Sequence, residues 1–245
     1  MKNVAVIMCA AGASARFGGD RKKPFIEVRR QAVFLRSMAF FNKRDDIKQK
    51  ILAISPDDQE LVEVKWGANL AFDQIKLCHG GKERFETVAK ALELVKDDIE
   101  LIVVHDAVRC CLKDAWLDAV IEKAAETGAA MLACPVIPTL KKVADGKITE
   151  TVDRTVLYEA QTPQVFEAGL LRKAYENLSN VEKGTITDDS GLVEVLGHKV
   201  SIIETDNTNI KITQKSDVVI AEAILKSRPK PKTDGPIGPY IEAQW

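Results

Sequence analysis

The chain has no excess of charge of either sign. Its 245 residues carry 35 Lys and Arg against 36 Asp and Glu, a formal net charge of -1. That removes the broad positive field that bulk nucleic-acid binding requires, so any cation that matters acts locally. No apolar run approaches the roughly 18 residues of a membrane span. The first run, residues 4–8, is also too short for the apolar core of a secretory signal. No Cys-x-x-Cys pair occurs, and the five cysteines, Cys9, Cys78, Cys110, Cys111 and Cys134, are odd in number. This argues against a zinc site or a disulfide framework and for reduced core thiols in a cytoplasmic protein. There are no internal repeats. Two nucleotide signatures are missing as well. Gly12 stands alone until Gly18 and Gly19, which excludes Gly-x-Gly-x-x-Gly. The same glycines have the wrong gap for a Walker loop, and Asp20 follows where Lys-Ser would stand.

What is present supports a sizeable core, since 46% of the residues are hydrophobic. Apolar runs over 4–10, 50–55, 74–78, 101–105, 129–136 and 200–204 read as strands. Between them, residues 32–42, 84–95, 112–126 and 167–177 carry apolar side chains at helical spacing. Alternation of this kind predicts an α/β fold with a mostly parallel sheet covered on both faces. Ligands then belong at the carboxyl ends of the strands, so the loops after residues 10, 78 and 104 are expected to line one crevice. Residues 135–157 are short, polar and strand-like around Asp145-Gly146, the pattern of a projecting β-hairpin arm. An arm with so little core of its own is expected to pack on another subunit. The main domain is read as 1–226. Residues 227–245 hold four of the nine prolines and read as an extended tail.

The most informative stretch is Ala10-Ala11-Gly12-Ala13-Ser14-Ala15-Arg16-Phe17, followed by Lys22-Lys23-Pro24. Small residues directly after a buried strand let backbone N–H groups approach a ligand closely. An Arg and a Lys then follow at distances suited to bracketing a polyphosphate. This reads as the phosphate loop of a nucleotidyl transferase; the plain alternative is a small-residue turn with solvated basic residues. After the third strand, Gly80-Gly81-Lys82-Glu83-Arg84 leads to Thr87 at the start of a helix. Two glycines permit close backbone approach, the helix start offers N–H groups to a base edge or anion, and Thr87 adds a hydroxyl. Arg84 is read as a phosphate contact or as a partner of Glu83, and an ordinary Gly-Gly turn is the simpler reading.

The fourth strand delivers His105-Asp106-Ala107-Val108-Arg109. Asp106 at a strand end is placed to meet Mg²⁺ or a substrate hydroxyl, and Arg109 to make a bidentate phosphate contact. A buried Asp–Arg pair is the structural alternative. His105 reads as a satisfied strand-end residue rather than a base. Arg154 at the foot of the arm, Thr162 in a turn, and Lys211 after the last strand together suit a second phosphorylated ligand. Asp188 and Asp189 precede a helical pattern, where capping is the commoner role.

With these blocks in order, the chain closely resembles the 2-C-methyl-D-erythritol 4-phosphate cytidylyltransferases of the non-mevalonate isoprenoid pathway. The blocks are Ala-Ala-Gly…Arg…Lys, Gly-Gly-x-x-Arg-x-x-Thr-Val, His-Asp-x-x-Arg, Pro-Val…Thr-x-Lys, Asp-Arg…Gln-Thr-Pro-Gln-x-Phe, Thr-Asp-Asp and Asn-Ile-Lys-Ile-Thr. The resemblance implies a Rossmann-like sheet, a homodimer clasped through the β-arm, and a Mg²⁺-dependent reaction of CTP with a polyol phosphate. It places the catalytic pair on Arg16 and Lys23. Nucleotide contacts fall on Ala10, Ala11, Gly12, Gly81 and Thr87, the last where the family usually has Ser, with Asp106 and Lys211 beside them. Acceptor contacts fall on Asp106, Arg109, Thr139, Arg154, Thr162 and Lys211, drawn from both subunits. Pro138 stands where the family usually has Asp, Cys110 follows Arg109 where it usually has Pro, and Gln214-Lys215 stand where Pro is common. Enzymes acting on ribitol 5-phosphate share much of this pattern and are the alternative, with a non-catalytic nucleotide-binding protein of the same fold behind them.

Overall fold

The computed structural model describes residues 2–12, 17, 22–180 and 186–229. Arg16 and residues 230–245 of the tail lie outside them. The first half runs β1 (Val4–Cys9), β2 (Glu27–Val28), β3 (Gln31–Ala32), α1 (Val33–Asn42), β4 (Ile47–Ile54), α2 (Gln59–Phe72), β5 (Ile75–His79), α3 (Arg84–Leu92) and β6 (Leu101–Asp106). The second half runs α4 (Asp114–Thr127), β7 (Ala129–Pro135), β8 (Leu140–Ala144), β9 (Lys147–Val152), β10 (Tyr158–Glu167), α5 (Ala168–Glu176), α6 (Asp189–Val195), β11 (Ser201–Glu204) and α7 (Lys215–Ser227).

Seven strands form one sheet in the order β11-β7-β10-β6-β1-β4-β5. Parallel pairs join β1 to β4 and β6, β4 to β5, and β7 to β11; β10 alone runs antiparallel, between β6 and β7. The expected mostly parallel sheet is therefore present. The side-chain period of two explains why β1 reads as one apolar run. Val4, Val6 and Met8 pack with Phe34, Phe41, Trp66 and Leu117 of α1, α2 and α4. Ala5 and Ile7 face Val88, Leu92, Leu171 and Leu192 of α3, α5 and α6. A strand covered on both faces has no polar side, and each fully buried large side chain contributes about 1.5–3 kcal/mol.

α2, α7 and β10 escaped the periodicity reading, as did the two-residue strands β2 and β3. In α2 only Val62, Trp66 and Leu70 are buried, a single narrow i, i+4, i+8 row on an otherwise polar helix. In α7 the buried positions are Asp217 and Ala221, and Asp217 completes a capping box with Gln214. β10 was expected to be a turn at Thr162. It is instead a central strand whose register slips between Ala160 and Gln164. Pro163 has no N–H to give a ladder, so it is tolerated at this bulge, where the Thr162–Pro163 bond is cis.

The arm is present as the sequence suggests. β8 pairs antiparallel with β9 across Asp145 and Gly146, whose φ values of 50° and 73° suit a tight hairpin turn. Its apolar side chains Val143 and Ile148 are exposed, as are Ile137 and Val156 at its base. Cys78, Cys110, Cys111 and Cys134 are buried free thiols, in line with the reduced core cysteines expected. No helix among the described residues is long and apolar enough to cross a membrane.

Candidate active site

The loops expected to meet do so. A cavity of about 210 Å³ opens at the carboxyl ends of β1, β5 and β6, and Ala10, Ala11, Gly12, Lys23, Gly81, Thr87, Asp106 and Lys211 line it. A larger cavity of about 530 Å³ shares Glu83 and Arg84 with it and is otherwise walled by Phe85, Glu86 and residues 186–189. The small-residue loop and Lys23 are not part of its wall, so size does not locate the chemistry.

Lys23 opens a short 3₁₀ turn, Lys23–Phe25, with Pro24 next in line. Phe25 is buried, stacked on Trp66 with ring centroids 5.5 Å apart, and edge-on to Phe34 at 5.9 Å. On the other side, Lys22 Nζ meets Asp58 Oδ2 at 2.9 Å. The backbone carrying Lys23 is thus held by an aromatic cluster behind it and an ion pair before it. Opposite, Gly80 packs so closely on Ala11 and Thr87 that a Cβ would overlap the Ala11 methyl and lie 2.9 Å from Thr87 Oγ1. The Thr87 hydroxyl accepts from Gly81 N at 3.0 Å and donates to the Glu83 carbonyl at 3.1 Å. It shapes the glycine loop from within while lining the cavity.

Asp106 ends β6 with Lys211 Nζ 2.8 Å from Oδ2, Arg109 Nε 3.5 Å from the same oxygen, and Arg84 Nε 3.7 Å from Oδ1. Burial alone would raise this carboxyl; Lys211, Arg84 and Arg109 override it and hold it well below the usual carboxylate range. Asp106 is also the residue at which the sequence places a magnesium contact. Its single carboxylate is engaged by three cations, and no cluster of three His, Cys, Asp or Glu side chains gathers among the described residues. Magnesium bound with a nucleotide takes one or two carboxylates and fills its shell with phosphate oxygens and water, and Asp106 is the described residue that fits that role.

Two residues expected as acceptor contacts, Arg109 and Thr162, also make internal hydrogen bonds. Arg109 is buried, and its guanidinium donates to the carbonyls of Asn209 at 2.7 Å and Ala160 at 3.4 Å. The buried Thr162 hydroxyl accepts from Asp106 N at 3.0 Å and lies 3.2 Å from His105 Nδ1. Both residues brace the end of β6, and neither lines the 210 Å³ cavity. His105 is fully buried, with Nε2 3.2 Å from the Arg109 carbonyl, and burial lowers its pKa to about 4. It is the satisfied strand-end residue expected and is no base. Thr139 and Arg154 are exposed at the two feet of the arm and do not line the cavity of their own chain. Cys110 is buried in the cluster that seats α7, with Val28, Val33 and Ile212, so this departure from the family pattern falls on packing.

Asp188 caps α6, accepting from Gly191 N at 3.1 Å, as capping predicted. Asp189 does not. It takes Arg84 Nη1 at 2.6 Å and the Tyr175 hydroxyl at 2.5 Å. Arg84 therefore faces two carboxylates rather than Glu83. No sequence pattern links positions 84, 175 and 189, which lie on three different helices.

A parallel sheet whose first strand ends in a small-residue loop, with a lysine held beside it and an aspartate–lysine pair across the mouth, defines an α/β nucleotide-binding transferase. The family model for IspD, 2-C-methyl-D-erythritol 4-phosphate cytidylyltransferase, matches residues 4–227, and the chain belongs to that family. A relative of that name from Endomicrobium trichonymphae is 43% identical over 228 residues, covering 93% of this chain and all of its own. One from Bacillus pumilus is 36% identical over 90% of this chain and 96% of its own. Among solved structures, the 4-diphosphocytidyl-2C-methyl-D-erythritol synthase of Anaerococcus prevotii superposes with a TM-score of 0.79 at 27% identity, over 92% of this chain and 96% of that one.

Proposed function

We infer that this protein transfers the cytidylyl group of CTP to the phosphate of 2-C-methyl-D-erythritol 4-phosphate, giving 4-diphosphocytidyl-2-C-methyl-D-erythritol and pyrophosphate. The observation that carries this reading is the family match across residues 4–227. The named relatives are methylerythritol enzymes, and the ribitol 5-phosphate alternative is not favoured.

An acceptor phosphate oxygen attacks the α-phosphorus and a new P–O bond forms. The bond from the α-phosphorus to the bridging oxygen of the β-phosphate breaks, and pyrophosphate leaves with that electron pair. The nucleophile is already anionic, so no base is needed, and the engaged, buried His105 is in keeping with that. Catalysis then rests on positioning and on charge stabilisation. Lys23 and Lys211 supply cations at the cavity wall, and we assign Arg16 to the same task from its place in the loop motif. The glycine loop at Gly81 and Thr87 suits the small cytosine ring. Magnesium belongs on this reading to the phosphates of the nucleotide, since this ion is held chiefly by substrate oxygens and water.

We place the subunit contact on the arm, whose exposed Val143 and Ile148 need cover. Thr139 and Arg154 then serve the cavity of the partner in a homodimer. The reduced thiols suit a cytoplasmic setting. The test is pyrophosphate release across CTP, ATP and GTP, each with methylerythritol phosphate or ribitol 5-phosphate. Release is expected with CTP and methylerythritol phosphate. Equal use of ATP contradicts the pocket, and preference for ribitol 5-phosphate overturns the acceptor.

A further inference from the structure

We propose that Arg84 is a positioning residue for the Asp106–Lys211 pair, held in place from outside the cavity by Asp189 and Tyr175. The proposal rests on the cytidylyltransferase reading above and names residues that act behind the reacting groups.

Arg84 is the first residue of α3 and forms part of the cavity wall. Its Nη1 donates to Asp189 Oδ2 at 2.6 Å, and its Nε lies 3.7 Å from Asp106 Oδ1. Asp189 is fully buried, and its other oxygen takes the Tyr175 hydroxyl at 2.5 Å. The second oxygen of Asp106 meets Lys211 at 2.8 Å. One continuous chain of hydrogen bonds and ion pairs thus runs from α5 and α6, through α3, to the carboxylate at the end of β6 and the lysine at the mouth.

The order of this chain matters because its two ends differ. Tyr175 packs on the core, and Asp189 is fully buried at the wall of the larger cavity. Lys211, at 41% side-chain exposure, is the half-exposed end. A lysine has a flexible four-carbon stem and no shape of its own, so its position is set by the carboxylate it meets. That carboxylate needs fixing in turn. Arg109 grips Asp106 from one side and Arg84 from the other. A planar guanidinium can span two carboxylates on different elements, which a single ammonium cannot do. A cation that is already in place when charge develops stabilises the transition state, and a loosely held one must first reorganise. The competing explanation is that Arg84 and Asp189 merely pin α3 to α6. A purely structural pair affects melting and leaves the kcat of a folded variant alone.

The test compares wild type, Arg84→Lys, Tyr175→Phe and the double variant. Arg84→Lys keeps a charge for Asp189 and loses the span to Asp106. With a melting midpoint near wild type, it is expected to lose about tenfold in kcat and less than about threefold in KM for CTP. Tyr175→Phe removes one hydroxyl that does not line the cavity and is expected to lower kcat about threefold. That loss disappears in the Arg84→Lys background, because both residues act through one path. Unchanged kcat in a folded single variant, a loss carried by KM alone, or additive losses in the double variant overturn the proposal. If Arg84→Lys fails to fold, the kcat of Tyr175→Phe decides. A wild-type protein without turnover overturns the cytidylyltransferase reading itself, a failure distinct from the others.

Discussion

His105 couples this fold to pH in a window where few other groups intervene. Its ring lies in the core, 5.5 Å from the Phe41 ring, with Thr162 at Nδ1 and the Arg109 carbonyl at Nε2. The carbonyl can only accept, so Nε2 carries the hydrogen and the Thr162 hydroxyl donates to Nδ1. This neutral ring is favoured by burial, opposed by the nearby Asp106 charge, and reinforced by the cations Arg109 and Lys211; the balance lowers its pKa from 6.5 to about 4.

The sign follows directly. The unfolded chain takes up a proton near pH 6.5 and the folded chain does not, so stability is full above that pH and falls as pH drops. The slope is about 1.4 kcal/mol per pH unit, and the loss by pH 4 is about 3 kcal/mol, an order-of-magnitude figure. Asp106 is held below the usual carboxylate range, so its own contribution is lost only at still lower pH. Urea unfolding at pH 7.5, 6.5, 5.5 and 4.5 measures the slope, and the His105 ring resonances in NMR report its titration directly. His105→Gln is expected to be less stable at neutral pH and to show a flatter profile through this window. A His105 that titrates near pH 6.5, or wild-type stability level from pH 6.5 to 4.5, refutes the reasoning.

Lys23→Ala is expected to fold normally and to lose at least about a hundredfold in turnover, because it removes a held cation from the wall beside the phosphate loop. Near-normal turnover in the folded variant removes Lys23 from the mechanism. Gly80→Ala would push a methyl into Ala11 and Thr87; overpacking of this kind costs about 1–3 kcal/mol, and CTP binding by calorimetry is expected to weaken about tenfold. Unchanged affinity would show that the loop yields without reaching the nucleotide. Mixing Arg154→Ala with Lys23→Ala chains is expected to restore up to about a quarter of wild-type activity, since half the chains enter heterodimers and each heterodimer has one intact site of two. If exchange is confirmed and the mixture stays inactive, Arg154 does not serve the partner.

Much of this protein was legible before folding because it is written in local spacing. The all-apolar β1 announces a strand buried on both faces, the small residues after it announce close approach to a ligand, and Asp145-Gly146 announces the hairpin. These depend on neighbours a few residues apart; the structure keeps the strand and the hairpin and brings Ala10, Ala11 and Gly12 to the cavity wall. α2 was lost because one buried row on a polar helix carries little signal, and α7 because capping rather than apolar periodicity marks it.

The site divides along the same line. Sequence alone determined which loops meet, since the carboxyl ends of parallel strands share one edge, and with the family resemblance it named Lys23, Gly81, Thr87, Asp106 and Lys211, which line one cavity. Only the tertiary structure decided which polar groups face the cavity and which stand behind it. Arg109 and Thr162, expected as acceptor contacts, also bond to Asn209 and Asp106, partners that the antiparallel insertion of β10 beside β6 brings to them. Arg84 read as a phosphate contact or as the partner of its sequence neighbour Glu83, and the fold gives it Asp189 on α6 as its ion-pair partner. A side chain's chemistry is set by its own atoms, but its partner is set by whichever distant backbone the fold brings within about 3 Å.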